Sequence, residues 1–236
     1  MVDVARSLLW TVPAIFALTV GMGTLSLLAS VLDGTGRLQH RIARRWARLV
    51  LSVSGVQVTI TGAEKLLRQT SYVFCSNHLS LIDTPLVFGF LPWEFRVLAR
   101  SGLWSIPFLG WHLRRAGHMP VDRGDVRASA RSLVNASRRV AQGTSVLVFP
   151  EGGRSKDGRL GEFKAGVAHI ALRARVPVVP LAILGTRAIH REGSPILRPG
   201  QVELRIGTPI ITTSWSSRDS RGLIRELQRR VAELMD

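Results

Sequence analysis

The sequence predicts an α/β domain preceded by a membrane-associated helical segment. Three observations carry this reading. No charged residue occurs in the 26 positions from Ser7 to Leu32; short apolar runs alternate with helix-like stretches from about Gly55 onward; and loops rich in glycine and proline follow the apolar runs. At 236 residues the chain fits one domain with a substantial core plus an N-terminal appendage. We place the boundary at 54/55. Residues 1–54 hold a membrane helix and a basic amphipathic helix, and residues 55–236 the domain that carries the chemistry.

The elements follow in chain order. A helix over the uncharged run would be ~39 Å long, ample for a ~30 Å hydrocarbon core. Pro13, Gly21 and Gly23 lower its propensity in water but are tolerated in lipid. A cleaved signal peptide would carry a shorter apolar core, about 7–15 residues. Next come Arg37, Arg41, Arg44, Arg45 and Arg48, with no acid before Glu64. On a helix, Leu38, Ile42, Trp46 and Leu49 form a stripe among these arginines, the pattern of a helix lying on anionic headgroups. The competing reading is a basic face packed on its own domain. Only Arg6 precedes the apolar run and Asp3 offsets it, so charge bias puts the downstream domain on the cytoplasmic side of an inner membrane.

Candidate strands are 56–61, 72–76, 96–99, 118–121, 145–149, 178–183 and 201–206. Candidate helices are 81–90, 125–141, 165–174 and 217–235, the last with Leu223, Leu227, Val231 and Leu234 on one side. In open sheets of this kind ligands sit beyond the carboxyl ends of the strands. His78 and Glu151 both follow candidate strands, so they can converge there.

Composition narrows the function. The net charge of +16 calls for an anionic partner. No zinc-finger spacing, basic tail or aromatic-basic motif points to nucleic acid, so the charge is assigned to a membrane surface and an anionic substrate. One cysteine excludes an internal disulfide, and no cysteine–histidine spacing suggests a metal site. No cofactor is expected.

The chemistry-bearing segment is Asn77-His78-Leu79-Ser80-Leu81-Ile82-Asp83. A strand that enters a turn and then a helix can bring His78 and Asp83 face to face. The carboxylate then fixes the imidazole tautomer while the other ring nitrogen takes a proton from a hydroxyl. The spacing alone is weak, since roughly 0.2 such pairs would arise by chance in this chain. Ser80 and Asp83 also read as a capping box, a structural role that does not exclude the first. Phe149-Pro150-Glu151-Gly152-Gly153-Arg154-Ser155 is a strand running into a flexible turn, where backbone amides and the Arg154 fork suit a phosphate. A solvated turn is the plainer reading. The phosphate reading gains if Lys164 returns to the same pocket.

Four segments taken together resemble the motifs of the glycerolipid acyltransferase family, and most closely its bacterial 1-acylglycerol-3-phosphate acyltransferases. They are Asn77-His78-x4-Asp83, Gly117 to Arg123, Phe149 to Ser155 and Val176 to Leu181. The resemblance implies a mixed sheet flanked by helices and an acyl-CoA or acyl-carrier-protein donor. It also implies membrane lipids and a lysolipid acceptor as partners. By the same resemblance His78 is the base, Asp83 its orienting partner, and Arg123, Glu151, Gly152, Gly153, Arg154 and Lys164 belong to the acceptor site. One departure stands out. The third motif usually has threonine where this chain has Gly153, which brings it nearer the glycerol-3-phosphate version and loosens the acceptor assignment.

The expected reaction is direct transfer of a fatty acyl group to the free hydroxyl of 1-acylglycerol-3-phosphate, giving phosphatidic acid. No Gly-x-Ser-x-Gly elbow is present and Cys75 lies in an apolar run, so a covalent acyl-enzyme is not expected. The rivals are acylation of glycerol 3-phosphate, a lyso-ornithine lipid or another lysophospholipid, a membrane-anchored thioesterase, and a basic membrane-binding scaffold without chemistry.

Overall fold

The computed structural model describes residues 2–122, 124–216 and 219–236. Helix α1 (Val2–Arg6), a π-helical turn (Ser7–Thr11) and α2 (Val12–Ala29) run on as one apolar helix, followed by α3 (Arg37–Val53). The remaining elements alternate: β1 (Val56–Thr61), β2 (Val73–Ser76), α4 (Asp83–Phe90), β3 (Phe95–Arg100), α5 (Leu109–Arg115), β4 (Met119–Val121) and α6 (Val126–Ala141). Then follow β5 (Ser145–Val148), α7 (Gly166–Ala174), β6 (Val178–Leu184), α8 (Thr186–Ile189), β7 (Gly200–Ile206) and α9 (Ser220–Met235).

The seven strands form one sheet in the order β1-β7-β6-β2-β5-β3-β4. Pairing is parallel except between β6 and β7, so the sheet is mixed. Strand β2 is central and buried on both faces, as its continuous apolar run requires. Its side chains alternate between two cores. Phe74 faces the layer of α3 and α4 with Leu147 and Val179, while Val73 and Cys75 face α6, α7 and α9 with Val146, Val148 and Val178. The expected covering helix is α9, which buries Leu223, Leu227 and Val231; Ser217, its expected first residue, lies outside the described residues.

Helix α3 packs on the domain through part of its apolar face. Ala47 and Leu51 belong to the core above the sheet, and Ile42 and Trp46 line an apolar cavity shared with α2. Of the stripe itself, Leu38, Ile42 and Trp46 are half-buried and Leu49 is 38% exposed, so the domain covers part of it. Two of its arginines also turn inward. Arg48 Nε donates to the Gly89 carbonyl at 2.8 Å and Arg44 donates to that of Leu91, so both satisfy carbonyls at the end of α4.

The apolar helix is tied down near both ends. Arg6 donates to the carbonyls of Ser54 and Leu197, and Ser7 Oγ both donates to the Leu197 carbonyl at 2.8 Å and accepts its N–H at 3.0 Å. Farther along, Trp46 Nε1 donates to Thr19 Oγ1, and Ser26 Oγ lies 3.0 Å from His112 Nδ1. The helix thus lies along the domain. Its anchors, about 29 Å apart at ~1.5 Å per residue, stand on one body.

Three imidazoles are buried where this helical layer meets the sheet. Burial, followed by the Arg96 and Arg44 charges, holds His40 down to about 4. His112 and His118 are pulled below their ordinary value, also chiefly by burial. Each binds a proton more readily once unfolded. The stability His40 carries is complete above about 6.5 and is lost as pH falls toward about 4, and that of the other two is lost in the same direction. Thermal unfolding between pH 8 and pH 4 is expected to show the melting temperature falling below about pH 6.5, and His40→Gln to flatten part of that slope.

Candidate active site

The site is assembled at the carboxyl ends of three adjacent parallel strands, β6, β2 and β5. Strand β2 stops at Ser76, and the next residue fixes where it stops. Asn77, fully buried, donates through Nδ2 to the Ile183 carbonyl at 2.9 Å and accepts the Ile183 N–H at 2.7 Å through Oδ1. One side-chain amide thereby continues the ladder to β6 after the backbone has turned away.

His78 comes next, with its side chain 18% exposed. Its Nδ1 lies 2.8 Å from Oδ2 of Asp83, at the first turn of α4. The same oxygen accepts the N–H groups of Leu79 at 2.6 Å and Ser80 at 2.9 Å. An oxygen that already serves two amides meets Nδ1 as a third donor, so Nδ1 carries a proton, and in the neutral ring Nε2 keeps its lone pair. The capping role and the orienting role coincide in one carboxylate. The Ser80 hydroxyl, meanwhile, donates to the His190 carbonyl at 2.9 Å. The other face of the imidazole stacks on Phe149 with centroids 4.2 Å apart, which limits how the ring can swing.

The glycine turn after β5 grips the backbone of His78 on both sides. Glu151 Oε1 accepts the His78 N–H at 2.7 Å, and the Ser155 N–H donates to the His78 carbonyl at 2.7 Å. Glu151 Oε2 accepts the Gly161 N–H at 2.9 Å, which closes the loop. Burial pushes the Glu151 carboxyl up, against the pull of those two amides. Both oxygens are engaged, so in this geometry Glu151 braces the base.

The cations gather on the same turn. Gly152 has φ +77, and a Cβ there would stand 2.9 Å from Lys164 Nζ, so the lysine does return to the turn. Arg154 is half-buried and pairs with Glu192 at 2.8 Å. A Cβ at Gly153 would meet nothing within 4 Å, so packing does not demand glycine there. Arg123 lies outside the described residues. Cys75 is buried with its thiol pushed up by burial, consistent with a packing role.

An apolar cavity of about 280 Å³ opens beside this end of the sheet, between α2, α3 and α5. Its wall includes Thr84, the residue after Asp83, together with Met22, Phe88 and Leu113. Sequence reasoning missed the contributions of Asn77, Phe149, Glu192 and His190, because each acts through a partner remote in the chain. Asn77 could have been flagged as a polar residue directly after an apolar strand, but nothing marks Ile183 as its partner.

A family model described as Acyltransferase matches residues 57–184. The chain is 34% identical over 207 residues to a chloroplastic 1-acyl-sn-glycerol-3-phosphate acyltransferase of Brassica napus, covering 83% of this chain and 60% of that protein. It is 29% identical over 151 residues to the 1-acyl-sn-glycerol-3-phosphate acyltransferase of Borreliella burgdorferi, covering 64% of this chain and 60% of that one. The chain thus spans well under two thirds of these relatives' lengths. Among solved structures, the 1-acyl-sn-glycerophosphate acyltransferase PlsC of Thermotoga maritima superposes with a TM-score of 0.81 at 28% identity. That match covers 98% of this chain and 97% of the other.

Replacing Asn77 by Ala leaves a buried N–H and a buried C=O without partners, at about 1–3 kcal/mol each. Denaturant titration is expected to show that loss, and hydrogen exchange to show faster exchange at Ile183. Unchanged stability and exchange would refute the bridging role.

Proposed function

The chain belongs to the acyltransferase family, and from that premise we propose that it acylates the free hydroxyl of 1-acylglycerol-3-phosphate to give phosphatidic acid. The observation that carries the reading is the 2.8 Å contact between His78 Nδ1 and Asp83 Oδ2, which leaves Nε2 as a base. Nε2 takes the acceptor's proton as its oxygen attacks the carbonyl carbon of an acyl thioester. The carbon–sulfur bond breaks, and the departing thiolate receives the proton back from the imidazolium. Asp83 favours that imidazolium throughout the step. The mechanism draws on no metal or bound cofactor, and the thioester comes from acyl-CoA or acyl carrier protein.

Each substrate has a place suited to its chemistry. The apolar cavity suits a fatty acyl chain. Arg154 and Lys164 suit the acceptor's phosphate, with Arg123 assigned to it by motif. The acceptor's phosphate would take Arg154 from Glu192, a partly exposed pair of the kind worth at most about 1 kcal/mol. The apolar helix Asp3–Ala29 supports membrane association, and its two sets of anchors favour seating in one leaflet. Charge bias favours the cytoplasmic face of the inner membrane.

His78→Ala is expected to abolish transfer in a donor-by-acceptor assay read by mass spectrometry, with the fold and vesicle binding retained. Asp83→Asn keeps one acceptor oxygen but removes the charge that favours the imidazolium, and kcat is expected to fall by about 10²–10⁴-fold. Near-normal transfer by His78→Ala would sink the mechanism, and thioester cleavage independent of added lysolipid would select a thioesterase. Arg154→Ala is expected to raise the acceptor KM; a change confined to the donor would refute the phosphate role.

A further inference from the structure

Helix α5 has two faces with different duties. Leu109, His112 and Leu113 close the apolar cavity. Trp111, Arg114 and Arg115, at i, i+3 and i+4, point the other way and are exposed. Trp111 is 56% exposed and stands beside Val31, which is 80% exposed. A surface groove of about 400 Å³ joins them, lined by Leu27, Ser30, Val31, Trp111, Arg114 and Arg115. Neither arginine pairs with a carboxylate among the described residues.

We propose that this groove, between the end of α2 and the outer face of α5, is a second seat for an anionic bilayer. Trp111 and Val31 enter the boundary of the hydrocarbon, and Arg114 and Arg115 meet lipid phosphates. Along α2 itself, Phe16 and Leu28 are 70% and 66% exposed, so this helix also offers apolar surface. An exposed tryptophan beside aliphatic side chains, with two arginines that meet no carboxylate among the described residues, matches the layered chemistry of a headgroup boundary better than that of a soluble partner. Contact through one helix leaves the domain free to roll about that helix. A second contact on α5 stops the roll and turns both lipid-facing walls of the cavity, α2 and α5, toward the hydrocarbon. Acyl chains can then enter without crossing water.

The proposal rests on the reading that the chain works at a membrane. The test uses the full chain and vesicles of phosphatidylcholine alone or in equal parts with phosphatidylglycerol. Each arginine near an anionic surface is worth roughly five-fold in affinity, so the double variant R114Q/R115Q is expected to bind mixed vesicles about 25-fold less tightly. Trp111→Ala is expected to weaken binding to both vesicle types. In the wild type, mixed vesicles are expected to slow hydrogen exchange across 109–115, a readout that needs no variant. If the wild type floats with vesicles but exchange and variant affinities are unmoved, the second seat is wrong and the membrane reading stands. If the wild type does not float at all, both fall.

Discussion

Oδ2 of Asp83, itself fully buried, accepts N–H bonds from the ring of His78 and from the backbones of Leu79 and Ser80. Hydrogen bonds to a charged group contribute about 1.5–3 kcal/mol each, and a buried carboxylate without them would be several kcal/mol worse off. This one oxygen therefore dictates the path of the chain from 78 to 83. It fits the point where Asn77 ends β2, since a strand continuing straight could not bring both amides round. The other clamps answer to that turn: Asn77 fastens it to β6, Glu151 and Ser155 fasten it to the loop after β5, and Ser80 fastens it to His190. A base held at so many points loses little order when the substrates arrive.

The helical layer follows a different logic. It is held by few polar bonds and much apolar surface, around a cavity whose lining comes from elements on both sides of it. Gly23 illustrates the fit, because a Cβ there would stand 2.5 Å from the Phe108 ring. Phe108 itself sits at φ +67, a costly position for a bulky residue, with the Leu109 N–H bonded to the Pro107 carbonyl at 2.8 Å. Strain of that kind persists where surrounding packing over-determines the chain, here at the entrance to α5.

Much of this was legible in the residues. Strand β1 matches its expected span, and the central strands announced themselves as continuous apolar runs, which two-sided burial explains. Asp125 announced the start of α6 and accepts the N–H groups of Arg127 and Ala128. The His78–Asp83 pairing was legible as spacing, and its geometry agrees. Helix α5 was missed because its seven residues include tryptophan, histidine and two arginines with no apolar period long enough to read. The stripe on α3 admitted two readings, because an amphipathic face looks the same whether it meets a bilayer or another helix. Glu192 and Asn77 escaped for a related reason: a polar side chain announces that it needs a partner without saying which.

The bond between Ser7 and Leu197 spans 190 residues. Chains emerge from the ribosome at about 5–20 residues per second, so the helix is outside for roughly 10–40 s before its protein dock exists. The edge strand β1 likewise waits for β7. On the membrane reading proposed above, order of synthesis favours a helix that meets the bilayer first and receives its domain afterwards.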